Sequence, residues 1–139
     1  MTAGGRLTAG QFALAWAVVL VVILGLDGVW LGLIAKEFYK REMGSLMSDS
    51  VRVAPAIVFY LLYPVALVYL ALLEAPAGWT GALLRAAVLG LAAYGAYDLT
   101  NLSVVRGWPI GLSLVDWAWG TVAAVIAAAA GYAVTWGRV

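Results

Sequence analysis

"FALAWAVVLVVILGLDGVWLGLIA", residues 12–35, is a long apolar run carrying a single charged side chain, Asp27. A helix needs about 20 mainly apolar residues to cross roughly 30 Å of hydrocarbon, and this run suffices. It lacks the apolar–polar alternation of a half-buried strand. In lipid, backbone groups must find their partners within their own segment, so helix is the default. Three further runs read the same way, about Ala54 to Leu73, Trp79 to Val104 and Pro109 to Trp136. The sequence therefore predicts an all-α fold, a polytopic transmembrane bundle of four helices packed up-down and antiparallel, as a single domain over residues 1–139. The amino terminus is not expected to be a cleaved signal, because its apolar run is too long and no A-x-A site follows it.

Composition agrees. Of 139 residues, 65% are hydrophobic and 11% charged, against about 25% charged in ordinary soluble domains. A net charge of +1 with no basic stripe argues against nucleic acid. The expected partner is the lipid bilayer, with a homodimer or larger membrane complex compatible with the small size. The chain has no Cys and no His. That removes disulfides, thiol nucleophiles, Cys–His zinc sites, His-ligated haem and Ser–His–Asp triads, and no cofactor or metal is expected.

Local residues set the boundaries. Pro55 and Pro109 suit a first helical turn, Gly44 and Gly107 suit helix stops, and Pro64 is expected to kink the second helix. The short "EAPAG" and "RGWP" connections make successive helices antiparallel neighbours. The longer "KEFYKREMGSLMSDSVRV", residues 36–53, reads either as a weakly amphipathic surface segment or as a plain loop. Loop one holds Lys36, Lys40, Arg41 and Arg52, and loop three holds Arg106. The opposite side has Arg6, Arg138 and Arg85. The positive-inside rule then places loops one and three in the cytoplasm and the termini in the periplasm of a bacterial inner membrane.

Three of the seven acids fall inside the apolar runs: Asp27, Asp98 and Asp116. Counted from Lys36, Arg106 and Trp108, each lies roughly 12–14 Å below the same membrane face, at 1.5 Å per residue. Helical spacing sets Tyr94 and Asn101 on the face of Asp98, beside Tyr97, and Ser113 and Gly120 on the face of Asp116. Gly28 and Gly32 form a G-x-x-x-G pair beside Asp27, and Ala123, Ala124, Ala127 and Gly131 form a small strip. Such faces are expected to be the seams between helices. Trp30, Trp108, Trp117 and Trp119 are expected to form an interfacial belt. A charged aspartate mid-helix costs about 2.5–3.5 kcal/mol on insertion scales, so three need partners. Lys36 and Arg106 are the candidate counter-ions, and a close acid pair can share a proton. The cluster reads either as structural glue bonded to Tyr94, Asn101, Ser113 or freed backbone, or as a site for a proton, a cation or a polar head group. Arg85 and Glu74 are expected to pair near the opposite face. Thr100 and Ser103 are expected to bond their own backbone, and a Ser113–Asp116 nucleophile is disfavoured.

Three stretches, "LDGVWLGLIAKEFY" (26–39), "YDLTNL" with "RGWP" (97–109) and "VDWAWGT" (115–121), resemble those of a family of small bacterial integral membrane proteins, domain of unknown function 2177. The resemblance implies a four-helix inner-membrane protein with no settled activity. It assigns Asp27, Trp30, Lys36 and Tyr39 to a first motif. Tyr97, Asp98, Thr100, Asn101, Trp108 and Pro109 fall in a second, and Asp116, Trp119 and Gly120 in a third. Three functional classes remain open: a small carrier or binding protein working through the aspartates, a lipid-active enzyme using a carboxylate as acid or base with Lys36 and Arg106 on a head group, and an accessory subunit of a membrane complex. The first is favoured, with its ligand unspecified.

Overall fold

A computed structural model describes residues 4–138. The described chain is all-α. Helix α1 (Ala9–Val29) widens into a π turn at Trp30–Ile34, and a short helix α2 (Lys36–Met43) follows at once. Helix α3 (Val53–Leu67) ends in a second π turn at Val68–Leu72. The two longest helices are α4 (Gly78–Val104) and α5 (Ile110–Val134). Four segments are long and apolar enough to cross a membrane: Ala9–Ile34, Val53–Leu72, Gly78–Val104 and Ile110–Val134. At 1.5 Å per residue the shortest, with 20 residues, covers about 30 Å.

Each end has a local cause. Thr8 caps α1 in a reciprocal box: its hydroxyl accepts from the Gln11 N–H at 3.2 Å, and the Gln11 side chain accepts from the Thr8 N–H at 2.9 Å. Met43 is followed by Gly44 at φ 51°, and Gly107 at φ 75° turns the chain between α4 and α5; a side chain would strain either position. Loop one is thus neither featureless nor wholly helical. Its first eight residues fold back as α2 beside the start of α5, where Glu42 approaches Gly111.

The bundle is inside-out in the sense that lipid demands. Large apolar side chains such as Val21, Leu33, Leu62, Leu70, Leu84 and Val88 point outward, while Ala15, Ala82, Ala86, Ala124, Ala127 and Ala128 fill the centre. Small residues set the helix spacing. A Cβ on Gly90 would stand 2.9 Å from Thr121 Cα, and one on Gly131 would stand 2.8 Å from Leu72 Cδ1 and 3.0 Å from Val19 Cγ2. The expected α4–α5 seam is therefore real, and α1 packs on α5 as well. The expected seam at Gly28 and Gly32 is not. Both glycines are exposed with no neighbour within 4 Å of a built Cβ, because α1 turns its Ala15–Val19–Ile23–Asp27 stripe inward instead.

At one end, Leu7 N–H donates to Leu73 O and Ala75 N–H to Gly5 O, which ties the amino-terminal segment to the α3–α4 connection. Glu74 pairs there with Arg6 at 3.2 Å, while Arg85 donates to the Glu74 backbone carbonyl at 3.0 Å. The expected Arg85–Glu74 ion pair is thus replaced by one from the segment before α1.

Candidate functional site

The three aspartates converge near the other end. Asp27 lies seven residues before Ile34, Asp98 six before Val104 and Asp116 six after Ile110, so all stand about 9–11 Å along their helices from that end.

Asp27 is 8% exposed. Its Oδ2 accepts from the Tyr60 hydroxyl at 2.6 Å and its Oδ1 from Trp119 Nε1 at 3.0 Å. Bonds from neutral donors to a carboxylate are each worth about 1.5–3 kcal/mol. Trp119 is held in turn by Trp30, stacked at 4.5 Å between ring centroids and 6° between planes. The π turn at Trp30 carries that indole, whose N–H reaches the Tyr39 hydroxyl at 3.3 Å. Tyr39 lies on α2 and donates to Asp116 Oδ1 at 2.7 Å. Burial, reinforced by the Asp116 carboxyl, pushes the Tyr39 phenol well above its ordinary range, so it remains a donor.

Asp98 is the anomaly. It is fully buried, and neither oxygen meets a donor. Its polar neighbour is the carboxyl of Asp116 across the α4–α5 seam. Two carboxyls bond each other directly only with a proton between them.

Beside these acids lies a cavity of about 430 Å³. Asp27 and Asp116 supply its carboxyls, Tyr60, Tyr94, Tyr97, Phe59 and Trp119 its aromatic walls, and Leu31 and Ala93 complete the lining. Tyr94 is fixed from behind: a Cβ on Gly120 would lie 2.1 Å from its ring. Among the described residues no Lys or Arg pairs with any of the three aspartates.

The family described as "Predicted membrane protein (DUF2177)" matches residues 12–133. The chain belongs to this family. No curated protein and no solved structure matches it. As a DUF2177 member with four apolar helices, it is a multi-pass membrane protein.

The DUF2177 architecture brings some candidates together and leaves others apart. Asp27, Asp116, Tyr94, Tyr97 and Trp119 share the cavity, with Asp98 and Trp30 directly behind it. Lys36 and Arg106 are exposed and make no ion pair with the acids, since a charged head gains more from water than from descending into an apolar seam. Asn101 is half-buried away from the lining. Ser113 accepts from Trp108 Nε1 at 3.0 Å and donates to the Pro109 carbonyl at 2.9 Å, which seals the start of α5. Thr100 and Ser103 bond the carbonyls of Ala96 and Leu99 on their own helix. The four tryptophans do not form a simple belt. Trp30 and Trp119 point inward, Trp108 bonds Ser113, and Trp117 donates to the Leu91 carbonyl at 2.9 Å. The residue missed altogether is Tyr60, whose phenol is the closest partner of Asp27; its one available signal is a hydroxyl at matching depth in α3, which also carries Tyr63. Tyr39 stood in the first motif with no role attached.

Proposed function

We propose that this protein is a small intramembrane binding protein or carrier, and that its cavity holds an organic ammonium cation between Asp27 and Asp116. The observation that carries the reading is an acidic, aromatic-walled cavity with no cation of its own. Five aromatic rings line it, and ring faces attract quaternary and protonated amines by about 0.5–2 kcal/mol each. The two lining carboxyls supply the counter-charge. The buried Asp98, facing Asp116, supports a proton store that the arriving cation displaces. The basic residues of loops one and three favour a cytoplasmic position for that end of the bundle, and therefore periplasmic termini in a bacterial inner membrane.

The test is calorimetric titration of the purified protein with benzyltrimethylammonium and with neopentylbenzene, its uncharged isostere. The cation is expected to bind the parent, and binding is expected to vanish in Asp27→Asn/Asp116→Asn. Equal binding of the neutral isostere, or binding undiminished in the double variant, refutes the reading.

A further inference from the structure

Building on that cation reading, we infer that the ligand is a single-chain cationic amphiphile that reaches the cavity sideways from the leaflet, its ammonium head between Asp27 and Asp116 and its tail leading out between α3 and α4. The helices leave that side open. Contact between the second and third spans is made chiefly by the π turn at Val68–Leu72, at the far end of α3. Towards loop one α3 and α4 diverge, and three residues of the cavity lining are open to the outside: Phe59 on α3 is 41% exposed, Tyr97 on α4 53%, and Leu31 on the neighbouring π turn 43%. All lie within the apolar spans, so the opening faces acyl chains.

The approaches from the loop-one surface and from the bundle interior are shut. Towards the loop-one surface, α2 lies beside the start of α5 and covers the acids with Tyr39, bonded to both Asp116 and Trp30. The Trp30–Trp119 stack closes the flank beside it. Deeper in the bundle, Tyr63 meets Tyr94 edge-on at 6.0 Å, and Tyr94 is pressed on Gly120. A hydrated inorganic cation meets only the covered side. A molecule already in the leaflet, with its charge near the interface and its chain among the lipids, meets the open one. A cavity of about 430 Å³ with such an opening has to accommodate the head alone.

The experiment uses the full chain in lipid nanodiscs, titrated with tetramethyl-, dodecyltrimethyl- and hexadecyltrimethylammonium, with empty nanodiscs as reference. Dodecyltrimethylammonium is expected to bind at least about tenfold more tightly than tetramethylammonium. The hexadecyl compound is expected to bind no less tightly than the dodecyl, because the tail does not have to fit inside. Both are expected to lose binding in Asp27→Asn/Asp116→Asn. Affinity that falls from dodecyl to hexadecyl means a laterally closed cavity and overturns the inference while sparing the cation reading. Tetramethylammonium binding as tightly as the long chains does the same. Long-chain binding that survives the double variant is partitioning and overturns it too. If none of the three binds, the cation reading falls with it.

Discussion

Replacing Asp98 by Asn is expected to leave the protein as stable as the parent or to stabilise it, although the residue is fully buried. In the parent, neither carboxyl oxygen meets a donor, and an unmet buried polar group costs about 1–3 kcal/mol. Asparagine has nearly the same shape, so no cavity opens and nothing is overpacked. Its amide brings an N–H to the position facing Asp116, and a hydrogen bond to a charged acceptor is worth about 1.5–3 kcal/mol. Where the pair already shares a proton the amide only replaces that bond and stability is unchanged; without one, one acceptor oxygen stays unmet and the net gain is about 1–2 kcal/mol. For a chain of this length that is an increase of roughly 3–8 °C in melting temperature. The assay is thermal unfolding in detergent, followed by near-ultraviolet circular dichroism. A variant melting several degrees below the parent refutes the reasoning. It means that the acid bonds something that only a carboxyl can satisfy, and that Asp98 is glue.

Two other substitutions probe the walls of the cavity. Gly120→Ala places a methyl 2.1–2.3 Å from three Tyr94 ring atoms, so the ring has to move into the cavity it lines. Overpacking of this kind costs about 1–3 kcal/mol, and benzyltrimethylammonium affinity is expected to fall on the order of tenfold as a ring face is lost; unchanged melting and calorimetry contradict the packing. Tyr60→Phe removes the 2.6 Å bond to Asp27 and is expected to cost about 1.5–3 kcal/mol. In an Asp27→Asn background the same change is expected to cost much less, and a double-mutant cycle with no coupling between the two positions rejects the bond.

The depth of the aspartates was legible in the sequence, and the direction in which each points was not. Depth follows from a fixed rise per residue and from short connections such as "RGWP", which lock the register of α4 against α5. Direction is normally read from a hydrophobic stripe, and a helix immersed in lipid is apolar on every side, so the stripe disappears. That is why the spacing of Gly28 and Gly32 reads as a seam, whereas α1 turns Asp27 inward and those glycines outward. On α4 and α5 the answer was readable because Gly90, Gly120, Ala124 and Gly131 mark contact faces where a larger residue cannot fit. The roles of Tyr39 and Tyr60 depended on two facts absent from any linear pattern. Loop one folds back as α2, and α3 leans on α1, to which Trp16 ties it by donating to the Leu61 carbonyl.

The three aspartates separate glue from site by how each is satisfied. Asp27 receives two donors and Asp116 one, all from neutral groups, whereas Asp98 receives none. Glue works by completing hydrogen bonds, so an acid retained for packing alone should be the best bonded of the set, and an amide or hydroxyl serves as well at lower desolvation cost. Asp98 has the opposite profile: the deepest burial, no donor and another acid as its neighbour. Such an arrangement lowers stability unless a proton is present. Ordering the bundle explains Asp27 well and Asp98 poorly. The proposed proton at the Asp98–Asp116 pair, beside a cavity whose other acid is already oriented by Tyr60 and Trp119, would account for both.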